Sequence, residues 1–386
     1  MIRIGSLGSG KRGRICKLAH RPEEGFEVVA GCDVIPAVHD DWRATVRPDI
    51  LFYSDYRKLL DEAKVDAVFI TAPDYLHEEM TLAALNRGKH VYLEKPMAIT
   101  IEGCDRILEA QKKSGAMLYL GHNMRFFPVI RKMKEIIDSG RIGQVEAIWC
   151  RHFVSYGGDA YYKDWHSEQK YVTGLLLQKG AHDIDVIHYL AGAYTTRTVG
   201  MGKLSVYNRV TNRRKADEKV KVEFNLQAWP PLAQTKLSPV IDVEDHSMIL
   251  MQLSNGVQAC YEQCHYTPDS CRNYTVIGTQ GRIENCNDFS IPEAEAIVRI
   301  WDRRVNYVEN GTESIAIPPL YGTHGGADPL IVDAFLKYLK AGKHEGANPR
   351  DAREAVATGV MATKSLREGN RPYDIPAIGE AGHRTQ

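Results

Sequence analysis

A glycine-rich turn near the start of the chain most restricts the fold that this sequence can adopt. Residues 2–7 read as a short strand, the turn Gly8-x-Gly10-x-x-Gly13 follows, and a helix-like stretch comes next. Glycines at these three positions allow a tight turn, close approach of a ligand to bare backbone, and close packing of helix against strand. The first N–H groups of the helix would then face a phosphate. The pattern therefore predicts a strand–turn–helix unit that binds a dinucleotide.

The second predicted strand supplies an acid at the expected distance from this turn. Phe26–Cys32 ends at Asp33, which lies 20 residues beyond Gly13. A carboxylate there binds a ribose 2′-hydroxyl and repels a 2′-phosphate, so the pattern favours NAD over NADP. Arg43 and Arg47 follow in the sequence and leave NADP open as the less favoured cofactor.

Strand-like and helix-like segments then alternate through the first third of the chain. Residues 65–71 and 89–93 are short apolar runs, which are typical of buried parallel strands, and 117–121 is a further strand. Residues 78–87 and 103–114 read as helices, each followed by a glycine. This alternation predicts a parallel, doubly wound sheet but leaves the order of its strands open.

The strand at 89–93 ends abruptly in an acid, a base and a proline, Glu94-Lys95-Pro96. In open α/β sheets, ligands bind beyond the carboxyl ends of the strands. Lys95 is therefore a candidate functional residue, with a solvated lysine before a turn proline as the alternative.

The composition excludes several classes of partner. The 386 residues include 49 Lys and Arg and 49 Asp and Glu, so no net charge attracts nucleic acid or an acidic membrane. No run approaches about 18 apolar residues, so we expect no membrane span. The chain opens directly on a strand pattern, and its eight cysteines show no Cys-x-x-Cys pair. We therefore expect free thiols in a cytoplasmic protein.

Several further motifs, taken with the glycine turn, make the chain resemble the glucose–fructose oxidoreductase, inositol dehydrogenase and rhizopine-catabolism family, Gfo/Idh/MocA. They cover residues 1 to about 192, with a less distinctive one beyond. These motifs are Ala72-Pro73-Asp74-x-x-His77, Gly88-Lys89-His90-Val91, Glu94-Lys95-Pro96, Gly121-His122-Asn123-Met124-Arg125-Phe126, Lys179-Gly180-Ala181-His182-Asp183-Ile184-Asp185 and His324-Gly325-Gly326-Ala327-Asp328-Pro329.

The resemblance implies two domains. Residues 1–123 would form a Rossmann NAD-binding domain, and residues 124–386 an α/β domain with a large, open, mostly antiparallel sheet that makes oligomer contacts. The Asn255-Gly256 pair between two β-rich runs independently predicts a hairpin there. Residues 206–240 are less regular, and we expect an insertion or lid-like loop at the surface. A homo-oligomer, either dimer or tetramer, is expected through the C-terminal sheet.

The resemblance also implies an activity, the NAD-dependent oxidation of a secondary alcohol in a sugar, cyclitol or sugar derivative. Such a reaction needs a base for the hydroxyl proton and a donor for the oxygen. Lys95 would serve as donor and His182 as acid/base, both acting at the same carbon. Many family members carry an aspartate four residues before this histidine, where Gln178 stands here. Three possibilities stay open: His182 works without a carboxylate, Lys179 takes part, or the net reaction differs.

The resemblance and the turn together define the expected site. We expect Pro96 to follow a cis peptide and His77 to lie beside the nicotinamide, although His77 could equally be an ordinary residue at a helix start. Tyr161, Trp165 and His166 suit stacking on a sugar ring, or an oligomer contact. The expected cofactor-binding residues are Gly8, Gly10, Lys11, Arg12, Gly13, Asp33, Ala72, Pro73, His77, Glu94 and Lys95. The expected substrate-binding residues are Arg125, Trp165, His166, Gln178, Lys179 and His182.

Other functions remain as alternatives. One is a glycosidase that retains NAD and works by oxidation, elimination and reduction, and another is a non-catalytic ligand-sensing or regulatory protein on the same fold. His182, Asp185 and His188 could share a helix face and bind a metal, but they are more simply explained as positions of that helix. We therefore predict no metal site, and no nucleic-acid motif is present.

Overall fold

The computed structural model describes residues 1–218, 224–225, 227–287, 296–318, 320 and 322–380. These residues form two compact units. The first comprises Met1–Phe126, Gly326–Val356 and the described residues from Ala377 onward. The second comprises the described parts of Phe127–Gly325 together with Ala357–Pro376.

The described residues contain fifteen strands. In chain order they are β1 Ile2–Leu7, β2 Phe26–Cys32, β3 Leu51–Tyr53, β4 Ala67–Ile70, β5 His90–Leu93, β6 Leu118–Leu120, β7 Val145–Phe153, β8 Thr195–Lys203, β9 His246–Leu253, β10 Gln258–Cys264, β11 Cys271–Gly278, β12 Arg282–Asn285, β13 Ala296–Trp301, β14 Glu313–Ile317 and β15 Tyr373–Asp374.

The same residues contain eleven α-helices and several 3₁₀ helices. The α-helices are α1 Pro36–Thr45, α2 Tyr56–Glu62, α3 His77–Leu85, α4 Ile101–Ser114, α5 Pro128–Asp138, α6 Gly157–Tyr161, α7 Gln169–Val172, α8 Leu175–Gln178, α9 Gly180–Ala191, α10 Ala327–Ala341 and α11 Pro349–Arg367. The 3₁₀ helices are Arg12–Ala19, Pro22–Glu24, Asp74–Leu76, Asn123–Phe126, Trp165–Ser167, Tyr207–Arg209 and Pro231–Ala233. No helix in these ranges is long and apolar enough to cross a membrane.

The first unit is built on the predicted parallel sheet. Its strand order is β3-β2-β1-β4-β5-β6, the doubly wound order that the alternation left undecided. Every side chain of β4 is fully buried, as expected for a central strand covered on both faces. The helix-like stretch at the end of the glycine turn is the 3₁₀ helix Arg12–Ala19.

The first unit also contains a late part of the chain, which differs from the predicted division at residue 123. The ring of Phe335, from α10, lies 5.2 Å from Phe69, 5.6 Å from Tyr92 and 5.6 Å from Tyr119. These rings belong to β4, β5 and β6, and they bury α10 against the sheet. The first unit is therefore completed by residues more than two hundred positions further along the chain.

The second unit is built on a nine-stranded sheet in the order β14-β13-β12-β11-β7-β10-β9-β8-β15. Its pairs are antiparallel except β7 with β10, which confirms the mostly antiparallel prediction. The predicted Asn-Gly hairpin joins β9 to β10. Residues of β9 alternate between exposed and buried because one face of the sheet is covered and the other is not.

The described residues of the segment 206–240 include two short 3₁₀ helices, and some of these residues are buried. Tyr207, Val210 and Leu237 are all less than 5% exposed and join a core cluster with Tyr162. The expectation of a surface position was therefore wrong for these three residues. Apolar side chains spaced through an irregular segment can anchor it without helix or strand periodicity.

Candidate active site

The three glycines of the first turn occupy different environments. Gly8 has φ +86°, and a Cβ added there would lie 2.5 Å from the backbone nitrogen of Ala72. A Cβ on Gly13 would lie 2.3 Å from the carbonyl oxygen of Gly8. A Cβ on Gly10 would meet only Oδ2 of Asp33, at 3.4 Å. The fold itself therefore requires Gly8 and Gly13, whereas the bare backbone at Gly10 suits an approaching ligand.

The carboxyl end of β2 holds this turn in place. The backbone N–H groups of Gly8 and Ser9 donate to the carbonyl of Cys32, at 2.9 and 3.2 Å. The indole of the fully buried Trp42 donates to the carbonyl of Ser9 at 2.9 Å. The turn is thus fixed by its neighbours before any ligand binds.

Asp33 lies beside the turn. Its Oδ1 accepts a hydrogen bond from the Ile35 backbone at 3.0 Å, and its Oδ2 is the atom that a Cβ added to Gly10 would meet. The two arginines further along make other contacts. Arg47 pairs with Asp49 at 2.7 Å, and the guanidinium of Arg43 lies 5.8 Å from the centre of the Phe52 ring. The turn and Asp33 together fit the phosphates and ribose of a dinucleotide.

Arg12 joins two buried carboxylates instead of extending toward solvent. Its guanidinium lies 2.6 Å from Glu94 and 2.7 Å from Asp328. Asp328 also accepts from Asn123 at 3.1 Å, and Glu94 from the hydroxyl of Tyr92 at 3.3 Å. Burial lowers the pKa of Arg12, but the charges of Glu94 and Asp328 outweigh it and raise the pKa overall. Arg12 and Glu94, both expected at the cofactor, are thus part of one ion-pair network.

Lys95 follows β5, and the side chain of His77, the first residue of α3, lies near the carboxyl ends of β4 and β5. Lys95 is half-buried just after β5, and the Lys95–Pro96 peptide is cis, as predicted. The ring of the buried His77 has Nδ1 at 2.6 Å from the Pro96 carbonyl and Nε2 at 2.9 Å from the Ala72 carbonyl. His77 therefore links the ends of β4 and β5, and both of its nitrogens face backbone carbonyls rather than a ligand.

The remaining expected residues of the first unit are Lys11, Pro73 and Arg125. Lys11 is exposed in the turn, and Pro73 directly follows Ala72 at the end of β4. Arg125 was predicted to bind substrate, and its guanidinium lies 3.1 Å from Asp351 in a pair whose side chains are each only 9% exposed. Within this unit Arg125 therefore forms an ion pair with Asp351.

His182 lies in the second unit, as the third residue of α9, whose other side chains are mostly buried. Its imidazole is half-buried, whereas Asp183 and Asp185 beside it are fully buried. Lys179 and Gln178 directly precede the helix, and Gln178 is only 5% exposed. Lys95 and His182 thus belong to different units of the chain.

Four of the polar and aromatic residues considered for substrate binding come together in the second unit. The rings of Trp165 and His166 stack with centroids 3.7 Å apart, and His166 meets Tyr161 edge-on at 5.4 Å. The ammonium of Lys179 lies 5.9 Å from the centre of the Tyr161 ring. This arrangement presents aromatic faces beside a cation, which suits a polyhydroxylated ring.

Two histidines that the sequence analysis did not single out lie at the same end of the sheet. His265 directly follows β10, is fully buried and meets Tyr161 edge-on at 5.1 Å. Burial and the charge of Lys179 lower the pKa of His265 far below its usual value. Burial and the charge of Arg272 lower the pKa of His152 to about 4. Both are single histidines in β-rich segments, with no local motif that marks them.

The described residues contain no group of three His, Cys, Asp or Glu side chains that could hold a metal ion. The three α9 residues considered as a metal site are not among such groups. His188, one of its three members, instead has Nε2 at 2.8 Å from the hydroxyl of Thr195.

Both units match known protein families. Residues 2–122 match the oxidoreductase-family NAD-binding Rossmann fold, and residues 134–375 match the oxidoreductase-family C-terminal alpha/beta domain, which are the two Gfo/Idh/MocA domains. The chain is 25% identical over 320 residues to the oxidoreductase YteT of Bacillus subtilis. This match covers 73% of this chain and 74% of that protein.

Two further similarities concern named dehydrogenases. The inositol 2-dehydrogenase of Salmonella typhimurium is 32% identical over 195 residues, so the match spans 49% of this chain and about half, 53%, of that enzyme. The solved structure of a levoglucosan dehydrogenase with NADH and levoglucosan has a TM-score of 0.77 at 20% identity, covering 97% of this chain and 100% of that one. The similarity to the levoglucosan dehydrogenase structure shows that the two chains share a fold.

Proposed function

Because the chain belongs to the Gfo/Idh/MocA oxidoreductase family, we propose that it is an NAD-dependent dehydrogenase of a sugar, cyclitol or sugar derivative. The observation that carries this proposal is the first turn, where Gly10 presents bare backbone beside the carboxylate of Asp33. The names of its relatives, inositol 2-dehydrogenase and levoglucosan dehydrogenase, support a secondary alcohol on a polyhydroxylated ring as the substrate.

NAD would be held by the backbone of the first turn and by Asp33. When bound, NAD supplies the hydride acceptor for alcohol oxidation. The carboxylate of Asp33 favours a ribose 2′-hydroxyl and opposes a 2′-phosphate. Arg43 and Arg47 pack on or pair with other residues, which supports NAD rather than NADP.

His182 would accept the proton of the substrate hydroxyl, and Lys95 would donate a hydrogen bond to the same oxygen. An imidazole has an unperturbed pKa near neutrality, which suits a proton acceptor at physiological pH. A lysine ammonium carries a full charge and stabilises an oxygen as negative charge develops. Gln178 cannot take a proton, so in this proposal it contributes a hydrogen bond to the substrate and no acid/base step.

The cluster of Trp165, His166, Tyr161 and Lys179 would bind the ring of the substrate. Its stacked and edge-on rings offer apolar faces to C–H groups, and the polar atoms around them can bond hydroxyl groups. A sugar or cyclitol has both kinds of surface, unlike an apolar alcohol.

The test compares purified parent protein with His182→Asn and Lys95→Met across a panel of sugars, cyclitols and their derivatives, with NAD⁺ and with NADP⁺. We expect NADH formation by the parent, with NAD⁺ preferred, and a fall in kcat of about 10²–10⁴-fold in each variant. Lys112→Met, an exposed lysine of α4, is the matched control and should keep parent activity.

Failure of the parent to reduce NAD⁺ or oxidise NADH with every compound would contradict the proposal. Cleavage of a glycoside without net NADH would instead indicate the oxidation–elimination–reduction cycle. Both measurements use the same protein and the same panel.

We also propose that the open face of the second unit's sheet mediates self-association. Paired positions on β8, β9, β10 and β7 place Val199, Leu250, Cys260 and Trp149 in one row across this face. Leu250 is 63% exposed and Trp149 38%. A contiguous exposed apolar patch of this kind supports a protein interface, and a second copy of the chain presents the same patch.

A further inference from the structure

The residue after His182 is the centre of a buried hydrogen-bond network. Asp183 is fully buried and accepts from side chains of three strands. Its Oδ2 accepts from His152 of β7 and from the hydroxyl of Tyr261 of β10, both at 2.9 Å. Its Oδ1 accepts from the hydroxyl of Tyr274 of β11 and lies 3.0 Å from Nε of Arg272. One carboxylate thus connects α9 to β7, β10 and β11.

The protonation states of this network are mutually consistent. A carboxylate only accepts, so Nδ1 of His152 carries the proton, and its Nε2 accepts from Arg272 at 3.1 Å. Burial raises the pKa of Asp183, but the charge of Arg272 and the hydrogen bonds from His152 and Tyr274 outweigh it and hold the pKa well below its usual value. Asp183 and Arg272 are therefore the charged pair, and His152, Tyr261 and Tyr274 are neutral donors.

A glycine at the start of α9 makes this arrangement possible. A Cβ on Gly180 would lie 3.1 Å from Cε1 of Tyr261, tighter than most contacts of a real Cβ. The absence of a side chain lets the Tyr261 ring approach the helix start and reach Asp183. Consecutive helical residues point about 100° apart, so fixing Asp183 toward the sheet also fixes the direction of His182.

Apolar packing alone would not fix this direction as tightly. Ile184, Ile187 and Leu190 are buried along α9, but an apolar surface tolerates small rotations and shifts of a helix. Hydrogen bonds are directional, and several of them converge on one carboxylate directly beside the candidate acid/base. A rotation of α9 that turned His182 would break more than one of them.

We propose that Asp183 is a positioning residue, which orients His182 for proton transfer by locking the start of α9 onto three strands. This inference rests on the proposed function for the role of His182. Asp183 itself, fully buried, would touch neither substrate nor cofactor.

The test uses Tyr274→Phe, which removes one donor to Asp183 and leaves the charged pair intact. Tyr162→Phe is the matched control, because this equally buried tyrosine of the second unit donates to the carbonyl of Glu244. We expect Tyr274→Phe to lower kcat by about 10- to 100-fold with little change in KM for NAD⁺, because small misplacements of a catalytic group have effects of this size. Tyr162→Phe should keep the parent kcat.

A second readout does not depend on turnover. Diethyl pyrocarbonate modifies accessible imidazoles, and peptide mass spectrometry reports its rate at His182. We expect this rate to change in Tyr274→Phe and in Asp183→Asn, but not in Tyr162→Phe.

The inference is overturned if Tyr274→Phe matches Tyr162→Phe in kcat and in the rate of His182 modification, whatever its thermal stability. In that case the network only holds the helix to the sheet. If the parent shows no turnover, the proposed function fails, and the modification rates still decide whether Asp183 orients His182. Asp183→Asn is the more severe change, and Tyr274→Phe keeps the test decisive if that variant does not fold.

Discussion

Each of the three glycines in the first turn meets a different physical requirement. Gly8 needs positive φ, and Gly13 needs the absence of a side chain against the Gly8 carbonyl. A Cβ added to Gly10 would meet no protein atom closer than 3.4 Å, so the protein itself does not require glycine there. A ligand that approaches the backbone would explain it. Stability and cofactor binding therefore depend on different members of one motif.

Gly10→Ala should weaken NADH binding while leaving the melting temperature near that of the parent, because the added methyl meets the ligand rather than the protein. Gly13→Ala should lower the free energy of unfolding by about 1–3 kcal/mol through overpacking. Fluorescence titration with NADH and thermal denaturation separate the two effects. Equal loss of stability in both variants would contradict this division.

His152 should make the stability of the second unit depend on pH. Its folded pKa is about 4, below the value of about 6.5 expected in the unfolded chain. Between these values the unfolded state binds a proton that the folded state does not, so stability is complete above about pH 6.5 and falls as pH decreases toward 4. Urea unfolding at a series of pH values should show the free energy of unfolding fall by about 3 kcal/mol from this group.

The control for this pH effect is His324→Asn, at an exposed position whose positive φ an asparagine tolerates. It should keep the parent's pH dependence, whereas His152→Gln should flatten the curve between pH 4 and 6.5. An unchanged curve in His152→Gln would show that other groups cause the acid sensitivity.

Among the elements, the 3₁₀ helix Arg12–Ala19 depends most on distant parts of the chain. Its first residue pairs with Glu94 after β5 and with Asp328 on α10. Charged hydrogen bonds in a half-buried setting are stronger than surface pairs, because water competes less for the charged groups. The element after the glycine turn is therefore held by side chains rather than by its own short helix.

Asp328→Asn should lower the free energy of unfolding by about 1–3 kcal/mol, because Arg12 would lose one of its two carboxylates. Asp333→Asn on the same helix is the control, since Asp333 is 37% exposed and pairs with Arg21 and Lys337 near the surface. That change should cost at most about 1 kcal/mol. Chemical unfolding measures both variants, and equal effects would show that the Arg12 network adds nothing beyond a surface pair.

At the scale of the whole molecule, the open face of the nine-stranded sheet carries exposed apolar side chains. Alternation along β9 directs Met248 and Leu250 outward, and both are more than half exposed. Apolar area of this kind favours association because burying it removes hydrocarbon surface from water.

Leu250→Glu should shift the protein toward monomer in analytical ultracentrifugation, because a charge at the centre of the apolar row opposes its burial. Lys112→Glu, on the exposed face of α4, makes a larger change in net charge without touching the row and should keep the parent's association state. A parent that sediments as a monomer at all concentrations would contradict the proposed self-association.

The features that could be read from the sequence are local ones. The glycine turn, Asp33, the parallel alternation and the Asn-Gly hairpin each depend on residues close together in the chain, where backbone geometry and side-chain period leave few solutions. Only the tertiary structure decided that Arg12 pairs with Asp328, 316 residues away, and that Asp183 collects donors from three strands. Such contacts arise from the packing of whole elements, and a buried polar group satisfies its hydrogen bonds wherever that packing brings a donor, which no local pattern records.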